Sequence, residues 1–235
     1  MNNRVSIIIP TLNEYKYIGG LLQDLKEQIV LPKEVIVADC SSTDDTLTIA
    51  KRRYSGILIA ESTMKSPGAA RNAGAKKSSG DILLFIDCDI RVEKDFLKTL
   101  LTCIDETNAD VLYPKFLSDG MSAFGTLHIA IVRSWLLFYR NFFTEKGIGG
   151  VIFVKREAYD RIGGFEESIN ESEDVLFFKK AHKLNMKIKY CKQTSVRVSS
   201  RRTRGTGFFY TAFEDLSFFN FARSQKNRRS YDRYK

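Results

Sequence analysis

The chain has 235 residues, 43% of them hydrophobic and 28% charged, with a formal net charge of +9. That length suits one large domain, or one with appendages, and buries about 70% of the surface that the unfolded chain exposes. The charge is uneven: residues 1–196 carry 27 basic and 25 acidic side chains, whereas residues 197–235 carry 10 basic and 3 acidic. A nearly neutral body offers no broad basic face, so no nucleic-acid partner is expected. Four cysteines, Cys40, Cys88, Cys103 and Cys191, lie far apart with no C-x-x-C spacing and no histidine cluster. They read as reduced, buried thiols of a cytosolic protein, and zinc is excluded. No apolar run reaches the ~18–20 residues of a membrane-spanning helix, and the first apolar run is too short for a signal peptide. The expectation is a cytoplasmic protein that is soluble or lies on a membrane without crossing it.

In chain order, residues 5–9, 34–38, 57–60 and 82–86 are short runs rich in Ile and Val, bounded by turn residues, and predict buried strands. Between them, residues 15–28, 43–54 and 67–79 carry helical spacing. The second of these helices opens on Ser42-Thr43-Asp44-Asp45, an N-cap with acids in the first turn. Alternation of this kind implies a parallel sheet covered by helices, with right-handed crossovers and ligands at the carboxyl ends of the strands. A helix over 93–106 and a strand near 110–114 follow. Phe124, Leu127, Ile131, Trp135, Phe138 and Phe142 then fall on one helical stripe, with Arg133 and Arg140 toward the other side. That stripe reads either as core or as a helix lying in a membrane interface. A glycine-rich turn at 147–150 precedes a strand at 151–154 and helices at 156–162 and about 173–184. Strand signals recur at 187–191 and 195–198. The chain ends in an aromatic segment at 208–221 and a basic one at 223–235.

Acids recur at strand ends, where a nucleotide pocket would lie. Asp39 follows the second strand, Asp87-Cys88-Asp89 follows the fourth, and Glu173-Asp174 opens a late helix. With the period of an extended strand, Asp87 and Asp89 would point to one side and Cys88 to the other. Two adjacent carboxylates need a cation between them, and a hard divalent ion shared with diphosphate oxygens meets that need. The plain alternatives are strand-terminating loop acids for the first pair and a complement to the helix dipole for the second.

Taken together, these segments resemble family 2 glycosyltransferases of the GT-A fold. The matching stretches are residues 5–14, residues 35–46 with their Asp-x-Ser-x-Asp-x-Thr, Gly68-Ala69-Ala70-Arg71-Asn72-Ala73-Gly74, Asp87-Cys88-Asp89, Gly163-Gly164-Phe165-Glu166-Glu167 and Glu173-Asp174. The resemblance implies an α/β fold: a Rossmann-like, mostly parallel sheet with helices on both faces, carrying an amphipathic C-terminal extension. Its catalytic domain would span 1–204, with a nucleotide-binding half of about 1–110 and an acceptor half of about 111–204, and the extension would span 205–235. It implies a nucleoside-diphosphate sugar donor, uridine or guanosine based, held by Pro10, Thr11, Glu14, Asp39, Arg71 and Asp87. It further implies Mg²⁺ or Mn²⁺ on Asp89 and Asp87, and Asp174, supported by Glu173, as general base in a single inverting displacement. The acceptor would be a saccharide or lipid-linked molecule. A histidine that relatives offer late in the chain is not matched by His128 or His182. Arg201 and Arg202 stand there instead, resembling a diphosphate-binding arginine pair, or else forming a solvated basic loop. The basic tail would meet an anionic membrane surface, on the cytoplasmic face. The competing reading is a non-catalytic nucleotide-sugar or glycan-binding relative of the family.

Overall fold

The computed structural model describes residues 4–62, 64–118, 150–169 and 173–198. One compact unit takes in Met1–Leu117 and Glu145–Arg197. The second, Ser118–Thr144 with Val198–Lys235, lies outside the described residues except at Ser118 and Val198. The expectations for the stripe at 124–143, for Arg201 and Arg202, and for the extension at 205–235 therefore fall outside the described residues.

The first unit begins with β1 (Val5–Thr11), α1 (Ile18–Lys26), β2 (Glu34–Asp39), α2 (Thr46–Arg53), β3 (Leu58–Glu61), α3 (Pro67–Lys77) and β4 (Ile82–Ile86). Then come β5 (Ile90–Val92), α4 (Phe96–Thr107), β6 (Val111–Ser118), β7 (Val151–Lys155), α5 (Arg156–Ile162), α6 (Glu173–Lys183) and β8 (Ile188–Val198). The strands form one sheet in the order β3-β2-β1-β4-β7-β6-β8-β5. Parallel pairing joins β3, β2, β1 and β4, while β7 runs antiparallel to both β4 and β6. The sheet is thus mixed, because the chain enters β7 from the opposite direction.

Consecutive residues of a strand face opposite sides of a sheet. Ile7, Ile8 and Ile9 of β1 and all five residues of β4 are buried, so both faces of the sheet are covered there, as parallel sheets require. Helix α3 lies close against the sheet through Gly74: a Cβ added there would stand 2.4 Å from Ile8 Cγ2 and 3.2 Å from Ala38 Cβ. Ser66 caps α3 by accepting from the Ala69 N–H, and Pro67 occupies its first turn, where the missing donor is harmless. No helix among the described residues is long and apolar enough to cross a membrane.

Three local expectations change. Helix α2 starts at Thr46 rather than near Thr43, and its first turn holds no acid. Asp44 instead accepts from the Thr46 N–H at 3.0 Å and from the Tyr15 N–H at 3.3 Å, which draws residues 42–45 into a loop against β1. Asp87-Cys88-Asp89 is a turn, not an extension of β4, closed by the Ile90 N–H donating to the Asp87 carbonyl at 3.2 Å. The two late strand signals form a single strand, β8, running through Gln193. All four cysteines are free and buried, as expected of unpaired thiols.

Candidate active site

The carboxyl ends of β2, β1 and β4 lie side by side. Thr11 and Asp39 are register partners, as are Pro10 and Ala38, and β4 lies on the other side of β1. Asp39 is buried and its carboxylate is drawn into the loop, accepting from Thr11 Oγ1 at 3.0 Å, Ser42 Oγ at 2.5 Å and the Ser42 N–H at 2.8 Å. The loops after β1 and β2 are laced together. The Asn13 N–H donates to Ser42 Oγ at 2.9 Å, Asn13 Oδ1 accepts from the Thr43 N–H at 2.8 Å, and the Glu14 N–H donates to Thr46 Oγ1 at 2.7 Å. Asn13 and Ser41 adopt left-handed backbone, at φ 56° and 67°. For serine that conformation is strained and needs such external support. The strand ends therefore form a preset rim containing Thr11, Glu14 and Asp39, with Pro10 half-buried at its edge.

Arg71 is the centre of the charged cluster. It is 3% exposed on α3, with Nη2 donating to Asp87 Oδ1 at 2.8 Å and Nη1 to Glu173 Oε1. Its guanidinium lies 5.3 Å from the centre of the Phe165 ring. Its buried Nε has no hydrogen-bond partner among the described residues. Burial disfavours the charge, but Glu173, Asp87 and Asp174 outweigh it and hold the guanidinium firmly protonated. Burial pushes the Asp174 carboxyl up to about 6, and the neighbouring Glu173 charge adds to this. Arg71 and the Val175 N–H, which donates to Asp174 Oδ1 at 2.7 Å, oppose that rise only in part. A carboxyl perturbed by desolvation beside a specific charge cluster marks a functional candidate.

The acids here outnumber the one arginine. Asp87 gives Oδ1 to Arg71, Glu173, with Asp174 next to it in sequence, takes the other side of that guanidinium, and Asp89, two residues after Asp87, is buried. A Cβ added to Gly150 would crowd Ile90 Cδ1 at 2.8 Å, with Asp87 Oδ2 at ordinary contact distance, 3.8 Å. Among the described residues no group of three or more acidic, histidine or cysteine side chains forms a metal cage. A magnesium- or manganese-type ion needs only one or two protein carboxylates and takes its other ligands from substrate phosphates and water, and Asp87 and Asp89 after β4 are donors of that type. Cys88 turns away, buried with its thiol 3.6 Å from the Pro10 carbonyl, and His182 is exposed on α6.

Sequence reasoning missed Asn72 and Tyr159. Asn72 Oδ1 accepts from the Tyr159 hydroxyl at 2.7 Å and the Phe165 N–H at 2.9 Å, while Nδ2 donates to the Phe165 carbonyl at 3.0 Å and Glu167 Oε1 at 2.7 Å. Asn72 sits within a recognisable motif, but its partners are 87 to 95 residues away and leave no local signal.

A helix-covered mixed sheet whose parallel half carries acids at its strand ends beside a buried arginine is the architecture of the GT-A glycosyltransferase fold. Residues 6–162 match the family described as Glycosyl transferase family 2, and the chain belongs to that family. The poly(ribitol-phosphate) beta-N-acetylglucosaminyltransferase TarS of Staphylococcus aureus is 38% identical over 119 residues, a match that takes in 48% of this chain and only 21% of that protein. The crystal structure of residues 1–349 of that enzyme with UDP-GlcNAc superposes at a TM-score of 0.66 with 27% identity, covering 83% of this chain and 58% of that one. An uncharacterized glycosyltransferase of Haemophilus influenzae is 25% identical over 215 residues, 85% of this chain and 73% of that protein. The fold also matches a mannosyltransferase of Pyrobaculum calidifontis solved with GDP-Man and Mn²⁺, at a TM-score of 0.70 and 20% identity over 96% of this chain and 66% of that one.

Proposed function

We propose that the chain transfers a sugar, with inversion and with the help of a divalent metal, from a nucleoside-diphosphate sugar to an acceptor hydroxyl or lipid phosphate. The observation that carries this reading is the Arg71 bridge, which ties Asp87 at the end of β4 to Glu173, the residue beside Asp174. The family membership and the nucleotide-sugar complexes of the two related structures support the donor class.

In this mechanism the rim of Pro10, Thr11, Glu14 and Asp39 receives the nucleoside, with Asp39 facing the base. Asp89, with Asp87, would hold Mg²⁺ or Mn²⁺, which when bound supplies Lewis-acid stabilisation of the leaving diphosphate. Arg71 serves the nucleotide by holding the Asp87 carboxylate. Asp174 accepts the acceptor hydroxyl proton as that oxygen attacks the anomeric carbon. The bond from that carbon to the diphosphate oxygen breaks, and the nucleoside diphosphate leaves on the opposite face. Glu173 keeps Asp174 in place through its pairing with Arg71, and Arg201 and Arg202 would add diphosphate contacts. A base with its pKa near the working pH combines proton affinity with availability, a contribution of about 10²–10⁴-fold.

The test is a donor screen with the purified protein, Mn²⁺ or Mg²⁺, and uridine- and guanosine-diphosphate sugars, with saccharide and lipid-linked acceptors. Metal-dependent release of nucleoside diphosphate is expected. Donor binding without turnover would favour a non-catalytic glycan- or nucleotide-sugar-binding role.

A further inference from the structure

We infer that Asn72 is a positioning residue for catalysis, fixing the start of α6, and with it Asp174, against the nucleotide-binding sheet. The inference rests on the reading of Asp174 as the base.

The four hydrogen bonds of Asn72 use every polar position of its amide. The Phe165 N–H and carbonyl fix which end is oxygen and which is nitrogen, so only a side chain with an acceptor and a donor fork fits. Burial raises the Tyr159 hydroxyl above its ordinary range, so it keeps its proton and donates. Asn72 thereby pins Phe165 by both backbone groups. The Phe165 ring stacks on Phe177 of α6, with centroids 4.5 Å apart and planes at 19°, meets Phe85 of β4 edge-on at 4.9 Å, and lies against the Arg71 guanidinium.

The adjacent α3 residues Arg71 and Asn72 thus grip the same target by two routes. Arg71 holds Glu173 by charge, and Asn72 holds the phenylalanine on which α6 rests. Residues 164–167 are tightly docked on α3 and its cap. Ser66 Oγ donates to the Glu167 carbonyl at 2.8 Å, Gly164 takes φ 73°, and a Cβ on Gly68 would strike the Glu166 carbonyl oxygen at 2.2 Å. The four hydrogen bonds of Asn72 go to Tyr159, Phe165 and Glu167, so its loss should misplace the base and leave nucleotide binding intact.

The experiment uses the full chain with Mn²⁺ and a panel of UDP-glucose, UDP-N-acetylglucosamine and GDP-mannose, following nucleoside diphosphate release. Affinity for UDP and GDP with Mn²⁺ is measured by calorimetry. Asn72→Ala should lower kcat roughly 30-fold, as expected for displacement of a catalytic group by a fraction of an ångström to an ångström, with nucleotide affinity within about threefold. Asn72→Asp should do worse, because it puts a carboxylate against the Phe165 carbonyl and Glu167. Tyr159→Phe removes one bond and keeps the ring packing, so it should fold and lose about threefold to fivefold in kcat. If Asn72→Ala does not fold, Tyr159→Phe decides by the same criterion. Unchanged kcat in the deciding variant overturns the inference, as does a parallel loss of kcat and nucleotide affinity. Asp174→Asn is run alongside. If it stays fully active, or if no donor is turned over by the unaltered chain, the reading of Asp174 falls and this inference falls with it, which separates the two failures.

Discussion

At the scale of single residues, the site balances one buried cation against several acids, and its pH behaviour follows from that. With Asp174 raised to about 6, catalysis should rise as pH passes through about 6 and the carboxylate ionises. A pH profile of kcat/KM with a limb in that region is expected, and Asp174→Asn should abolish the limb while cutting kcat by at least about 100-fold. The same shift has a stability consequence of opposite sense. A carboxyl that is harder to ionise when folded costs nothing while protonated in both states, below about 4, and its penalty is complete above about 6. Asp174→Asn should therefore stabilise the metal-free protein at pH 8 by up to about 3 kcal/mol, with the gain vanishing near pH 4, as read by urea unfolding at both pH values. Asp89→Ala tests the metal reading. UDP or GDP should lose its Mn²⁺-dependent increment of affinity, while metal-free binding on the Thr11 and Asp39 rim persists. Asp39 and Asp87 stand out in the sequence because they directly follow apolar runs. The Arg71–Glu173 pair spans 102 residues, so no spacing rule could have found it. The turn at Asp87-Cys88-Asp89 was hidden for a different reason: side-chain alternation presumes an extended backbone, and one hydrogen bond from Ile90 to Asp87 was enough to bend it.

At the scale of elements, β1, β2 and β4 were legible because strands buried on both faces read as unbroken apolar runs rich in β-branched residues. The three residues of β5, Ile90-Arg91-Val92, were too few to show any period. The start of α2 was misread because Asp44 and Ser42 look like capping residues in either role, and their partners on the Asn13–Tyr15 loop decide which role they take. Helix α3 carries the most consequence per residue, with Arg71 and Asn72 toward the site and Gly74 toward the sheet. Gly74→Ala would normally favour a helix by about 1 kcal/mol. Here the added methyl meets Ile8 Cγ2, a stiff branched group in the core, and overpacking of this kind costs about 1–3 kcal/mol. A lowered urea midpoint with an unchanged slope is expected, and a raised midpoint would show that α3 can move off the sheet.

At the scale of the whole molecule, charge and fold separate along the chain. The surplus of basic side chains lies in residues 197–235, beyond the strands that hold the site. If that tail meets an anionic membrane surface, each basic residue contributes about 1 kcal/mol near the leaflet. Flotation with phosphatidylserine vesicles should then weaken on deletion of residues 223–235 and in high salt, and binding that survives the deletion would assign attachment elsewhere. The strand order has another result. Strand β4, Ile82-Leu83-Leu84-Phe85-Ile86, finds its second neighbour only in β7, which begins at Val151. Until some seventy further residues have left the ribosome, the most apolar strand of the sheet presents an unpaired edge to its surroundings, the configuration that invites strand-to-strand aggregation. A chain truncated after residue 117 should pellet more readily than the full chain on centrifugation, because β7 is the strand that covers this edge of β4.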